Sequence, residues 1–272
     1  MTETTTMHEQ TAPANDSPTA NRMPMFYQQI EAFDTTRHAD LCRQTQRDFR
    51  FAAEATVIPV VISELPQLLR HYPLVFIPSV DGGSPGLAVL VGLGDGPNLF
   101  VNSQSAWLPD TYIPAYVRRY PFHALRVDME TEPLLAIDPT ALITGYGEPL
   151  VDTAGEPSSY VREMLAFTQE YRAAAERTET MCQALLDAGV LQDGDITLQT
   201  ASGEVHRING FLSADEARLR LLPAEALIKL HGADALGLAY AQLLSLVNLT
   251  HVPRSTAEKS QEKTIRSKKK PS

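Results

Sequence analysis

Asn102, Trp107, Tyr112, Arg118, Arg119 and Tyr120 crowd into one short stretch that holds the chain's only tryptophan. A guanidinium stacks on aromatic faces and grips anions through its planar fork, and an asparagine both donates and accepts. Residues of these types, so closely set, suit a surface that binds a ligand or a protein partner. The same residues could build a structural corner, with rings filling core space and arginines satisfying helix-end carbonyls. Both readings stay open at this level.

Other candidate chemistry is thinner. Cys42 follows His38 by four residues, which would put thiol and imidazole on one face of a helix. A cysteine nucleophile also needs an electropositive, accessible setting, and the plainer reading is a packed thiol. Asp128, Glu130 and Glu132 alternate and would share one face of a strand, where they could hold a cation or simply be solvated. No two of the seven histidines stand three or four apart, and no cysteine pair accompanies them. The spacing of a metal site is therefore missing. Gly92, Gly94 and Gly96 are followed by Pro97 and an apolar run, so no helix N-terminus is available to receive a phosphate. There is no Gly-x-Ser-x-Gly elbow. The residues single out no catalytic group, no metal and no cofactor.

Stepping outward from these residues, the composition constrains their setting. Of 272 residues 43% are hydrophobic, enough for a sizeable core. The formal charge of −10 argues against a nucleic-acid binder. From Arg254 onward seven basic and two acidic residues give a local charge of +5, leaving −15 on the rest. The segment 254–272 is expected to be a disordered tail capable of weak contact with an anionic surface. Residues 1–24, rich in Thr, Pro and Asn, are expected to be disordered too. The chain shows neither a signal peptide nor an apolar run long enough to span a bilayer. With two distant cysteines it reads as cytoplasmic, with peripheral membrane association through the tail left open.

Between the tails, the patterns predict an α+β fold: an antiparallel β-rich first half and a helix-rich second half, packed as one globular domain over 25–252. Strands are expected at Val57–Val61, Leu74–Ile77, Leu87–Leu93, Asn98–Val101, Phe122–Met129 and Pro133–Ile137, joined as a meander. Ser63 is read as the cap of a short helix running to His71, and Trp107–Tyr120 as a loop leading into another. Apolar residues recurring from Val161 to Leu185 predict a long helix opened by Glu156-Pro157 and stopped by Gly189. Two strands, Asp195–Thr200 and Glu204–Leu212, follow around Ser202-Gly203, and Ser213 to Glu216 reads as a capping box. A last helix, Ala233–Leu249, is apolar on most of its surface and should be well buried.

Several of these runs carry a family resemblance. Tyr72-Pro-Leu-Val-Phe76, Ala88-Val-Leu-Val-Gly-Leu93, Asn98-Leu-Phe-Val101, Trp107, Tyr112-Ile-Pro-Ala115 and Arg118-Arg-Tyr-Pro-Phe122 resemble the signature run of the SapC family. Arg37-His38, Phe49 to Ala53, Gly147 to Asp152, Gly155-Glu-Pro157 and Leu238 to Ser245 fit the same pattern, so the resemblance covers roughly 25–250. Ser103 to Ala106 departs from it, where a more glycine-rich or acidic turn is expected. The resemblance implies an accessory or binding protein of bacterial surface-layer or cell-envelope biogenesis or export, working with a surface-layer or envelope partner. Relatives are also linked with flavin-dependent tryptophan-halogenase-like enzymes, which implies the alternative of an enzyme or enzyme subunit acting with such a flavin enzyme on an aromatic or peptide substrate. The resemblance brings no catalytic residue with it.

Overall fold

Side chains alternate across a strand, so a strand apolar at every position must be covered on both faces. Leu74-Val-Phe-Ile77 is such a strand: all four residues are buried. Leu74 and Phe76 face one core, with Leu87 and Val89 of the next strand, while Val75, Ile77, Ala88 and Leu90 face another. The architecture follows from how the chain covers both faces.

A computed structural model describes residues 23–125, 133–199 and 205–251. Asp128, Glu130 and Glu132, the turn through Ser202 and Gly203, and the terminal segments other than Met23 and Pro24 lie outside the described residues. The described strands are β1 (Glu31–Ala32), β2 (Leu41–Arg43), β3 (Val57–Pro59), β4 (Leu74–Ile77), β5 (Gly86–Leu90), β6 (Phe122–Leu125), β7 (Leu134–Ile137), β8 (Ile143–Thr144), β9 (Glu148–Pro149), β10 (Leu191–Gln199) and β11 (Val205–Ala214). The helices are α1 (Leu65–Leu68), α2 (Ala115–Arg119), α3 (Ser159–Asp187), α4 (Glu216–Arg220), α5 (Ala224–Gly232) and α6 (Ala235–Ser245), the last continued by a 3-10 turn, Leu246–His251.

The fold is α+β, strand-rich first and helical later, and the described strand pairs are antiparallel. The simple meander is corrected. The central sheet runs β10-β11-β4-β5-β3, so strands from the second half of the chain complete a sheet begun in the first. Two small sheets, β1-β7-β6 and β8-β2-β9, stand beside it. Pro59 lies in β3 at the sheet edge, where its missing N–H costs no ladder bond.

Helix α3 joins the cores. Its first turns place Val161 and Met164 against Phe122, Leu135, Ile137 and Leu150, and its later turns place Tyr171, Ala174, Met181 and Leu185 in the main core. Ser158 caps it, accepting from Val161 N (3.4 Å), and Gly189 leaves it with φ of 65°. Pro157 stands ahead of the cap, in a bridge to Val151, rather than in the first turn.

The second face of the sheet is covered by its own edge ribbon. Ile196, Leu198, Ile208 and Phe211 of β10 and β11 pack on Val75, Ile77, Ala88 and Leu90. The ladder slips between Gly194 and Ile196, opposite Gly210 with φ of 78°, and this bulge bends the ribbon over the face. The Phe211 ring lies across Gly194, where a Cβ would stand 2.0 Å from the ring.

Other expectations are corrected by local chemistry. Asn98–Val101 forms no strand, because the Asn98 side chain bonds Ala52 O (3.0 Å) and Phe100 N (2.9 Å) and curls the chain there. Asp215, not Ser213, caps α4, accepting from Arg218 N (3.1 Å), and Ser213 lies within β11. Cys42 lies in β2 rather than in a helix. The last helix is not buried all round: Tyr240, Leu244 and Val247 are exposed.

Gly194→Ala is expected to lower stability by about 2 kcal/mol through the clash with Phe211. In a Phe211→Leu background the same change should cost about 1 kcal/mol less, and a urea-denaturation double-mutant cycle reads the difference.

Candidate functional site

Val61 precedes a 3-10 turn, Ile62–Glu64, that runs straight into α1. Its buried N–H donates to Glu64, whose carboxylate reaches back at 3.1 Å. This is the returning half of a capping box, with Val61 rather than Ser63 in the cap position. Glu64 is buried, and its carboxylate also accepts from Ala115 N at the start of α2 (2.5 Å) and from the Tyr112 hydroxyl (3.0 Å). One acidic side chain therefore fixes where α2 begins and how Tyr112 points.

Tyr112 accepts in turn from Arg118 Nη2 (2.8 Å), and Arg118 Nε donates to Ile113 O (3.0 Å). The Arg118 guanidinium lies 5.0 Å from the Phe167 ring centre and 5.3 Å from that of Tyr112. Behind this pair the Tyr72 hydroxyl donates to Tyr112 O and accepts from Trp107 Nε1 (3.2 Å). Trp107 is buried, edge-on to Phe49 and stacked with Phe100. Trp107, Tyr112 and Arg118 are thus gathered into one hydrogen-bonded chain with Tyr72 and Glu64.

Arg119 faces the other way. It is buried, with its guanidinium 4.2 Å from the ring centre of Tyr116 and 4.5 Å from that of Tyr171. Tyr120 packs its ring on Phe51 (4.2 Å) and edge-on to Tyr27 (5.2 Å). Asn102 stands apart, its Oδ1 accepting from Gln104 N (2.9 Å) and Ala106 N (3.0 Å) to close its own loop. Of the six residues, Trp107 and Arg119 are buried, while Asn102, Tyr112, Arg118 and Tyr120 are half-buried.

Burial sets the proton affinities here. It raises the Glu64 carboxyl above its ordinary range, against hydrogen bonds from Ala115, Val61 and Tyr112 and the charge of Arg118 that hold it down. Burial, followed by the charge of Glu64, pushes Tyr112 up to about 12, so the phenol stays protonated and donates. Tyr120 is also pushed up to about 12, by burial and then Asp138. Cys182 is likewise raised to about 12 by burial, so its thiol is packed rather than reactive. His38 accepts at Nδ1 from Asp34 N (3.0 Å) and turns Nε2 toward Glu31 (3.7 Å), while the Cys42 thiol points at Asp40 O.

Elsewhere, an open groove of about 620 Å³ runs beside the C-terminal half of α3, lined by Ser84, Glu176, Glu179, Gln183 and Asp187. Among the described residues there is no group of three His, Cys, Asp or Glu that could hold a metal ion, and no helix is long and apolar enough to cross a membrane.

Glu64 and Tyr72 were not among the residues singled out from the sequence. The sequence signal for Glu64 is a glutamate three residues after Val61 at a helix entrance, where Ser63 competes with Val61 for the cap position. Tyr72 had no local signal, since its partners Trp107 and Tyr112 are 35 and 40 residues away.

A family model described as SapC matches residues 33–252, which is most of the chain. No curated protein and no solved structure matches.

Two outcomes follow from this geometry. Arg119→Ala is expected to lower stability by about 3 kcal/mol by emptying the tyrosine cage, read from thermal or urea melts. Because the folded chain raises the Glu64 pKa, it holds a proton that the unfolded chain releases. Glu64's contribution is therefore fully present below its ordinary value of 4.5 and is lost as pH rises through the raised value. Urea melts across that window should show this falling slope in the parent and its absence in Glu64→Gln.

Proposed function

The chain belongs to the SapC family, and on that premise we propose that it is an accessory binding protein of bacterial surface-layer or cell-envelope biogenesis. It captures a protein partner through the half-exposed Tyr112–Arg118 pair. The observation that carries this reading is the way that pair is held. Arg118 is tied to Tyr112 and to Ile113 O, and Tyr112 is tied to the buried Glu64 carboxylate. A cation and a phenol oriented before any partner arrives lose little side-chain freedom on binding. A guanidinium lying over aromatic rings is also suited to a carboxylate or another anionic group on a partner. The neighbouring Tyr72 hydroxyl is closed off within the core, hydrogen-bonded to Tyr112 O and Trp107 Nε1.

The test is affinity capture of the tagged full chain from its native cells, compared with Arg118→Ala and followed by mass spectrometry. The parent should recover a surface-layer or envelope component, and the variant should recover at least tenfold less while melting within a few degrees of the parent. Equal recovery by both would remove Arg118 from the binding surface. Recovery of a flavin enzyme would replace the accessory reading with that of an enzyme subunit.

A further inference from the structure

The N–H groups of a guanidinium are arranged in a rigid planar fork. Arg118 uses one edge of that fork inside the protein: Nε donates to Ile113 O (3.0 Å) and Nη2 to the Tyr112 hydroxyl (2.8 Å). Nη1 has no partner among the described residues and is open to solvent. The Nη1–Nη2 edge is therefore left to a ligand, held from behind by the bonded edge and from one face by the Phe167 ring, 5.0 Å away. Its two parallel N–H groups match the two oxygens of a carboxylate.

The surrounding charge selects among anions. Glu64 lies one phenol away, accepting from the Tyr112 hydroxyl at 3.0 Å. Glu163 and Glu170 stand on α3 four residues before and three after Phe167, each within a helical turn of the ring. Successive residues turn by about 100°, which puts both glutamates on the solvent side of Phe167, away from the buried Met164 and Tyr171. Both are exposed, and neither forms an ion pair or a side-chain hydrogen bond among the described residues. Arg162 and Arg172 leave α3 on other faces, bonded to Pro157 O and to Glu176. Arg118 thus meets solvent among acidic side chains. A dianionic phosphate would face several like charges for its one cation. A single carboxylate faces less repulsion, and a ligand that brings its own cations to Glu163 and Glu170 gains further.

We propose that the Tyr112–Arg118 site recognises a mixed-charge peptide segment of a partner protein, with an aspartate or glutamate on the Nη1–Nη2 edge of Arg118 and lysines or arginines on Glu163 and Glu170. The two glutamates are about 10 Å apart along α3. An extended Lys-Ser-Glu-Ser-Lys segment turns its three charges to one face and spans about 13 Å, a difference that its long side chains take up. The proposal rests on the partner reading and names the chemistry of that partner.

Blocked peptides titrated into the full chain test it: Lys-Ser-Glu-Ser-Lys, its forms with glutamine or phosphoserine at the centre, and Ser-Ser-Glu-Ser-Ser. Affinity is read from NMR shift titrations, and the place of binding from the Arg118 Nε–H signal, assigned by its loss in Arg118→Lys. The lysine-flanked glutamate peptide is expected to bind at least ~10-fold tighter than its glutamine form and ~3-fold tighter than its phosphoserine form. Arg118→Lys should weaken it ~10-fold while melting like the parent, because an ammonium offers no parallel pair of donors. Glu163→Gln with Glu170→Gln should weaken the lysine-flanked peptide about fivefold and leave the serine-flanked one within about twofold. The proposal is overturned if the phosphoserine or glutamine peptide binds as tightly as the glutamate one, if the glutamates on α3 make no difference, or if no peptide moves the Arg118 signal. The partner reading falls separately, if Arg118→Ala captures as much from native cells as the parent.

Discussion

The amide of Gln242 ties β11 to β4 in the middle of the central sheet. Strands β11 and β4 share a single paired position, Leu212 with Phe76, and would otherwise leave buried peptide groups unmet. Gln242 fills that gap: its Oε1 accepts from Ala214 N (2.9 Å) and its Nε2 donates to Leu74 O (3.1 Å). Ser245 takes the neighbouring Leu74 N (2.8 Å), and Asn248 takes Tyr72 O (3.1 Å). A buried peptide group left without a partner costs about 1–3 kcal/mol, so this row of side chains stands in for a stretch of sheet ladder. It also fixes the rotation of α6. With its polar row turned inward, the helix has apolar residues left over for its outer face.

A similar substitution of side chain for backbone organises the aromatic–arginine region. Glu64 gathers two backbone N–H groups and a phenol from segments some fifty residues apart, tying the entrance of α1 to the entrance of α2. The carboxylate is held in place by donors rather than by a single ion pair, and burial raises its pKa. Adjacent arginines on α2 then go separate ways, since successive residues on a helix point about 100° apart. Arg119 enters the core among Tyr116 and Tyr171, and Arg118 reaches the surface beside Tyr112 and Phe167. The same stretch of chain thus sends one of its two adjacent cations into a structural corner and the other toward solvent.

The local signals in the sequence were strong where the physics is local. The apolar runs of β4 and β5, the periodicity of α3 and the stop at Gly189 were legible because each depends on residues within a few positions. The resemblance carried by Tyr72 to Phe122 pointed to the SapC family, whose match covers 33–252. Less legible were the places where a side chain reaches across the fold to a backbone group. Asn98 curls a segment whose composition reads as a strand, and Ser213 pairs with Gln192 in the β10–β11 ladder, which leaves Asp215 to cap α4.

The sequence by itself determined the fold class, the long helix, the basic segment and the gathering of aromatics and arginines between Asn102 and Tyr120, since composition and short-range periodicity encode these directly. Only the tertiary structure decided which arginine is buried, that Glu64 and Tyr72 complete the cluster, and that the least polar helix shows its apolar side to solvent. The reason is that a helix's orientation is set by what its polar groups must satisfy. For α6 those partners are Leu74, Ala214 and Tyr72, the nearest of them 28 residues away in the chain.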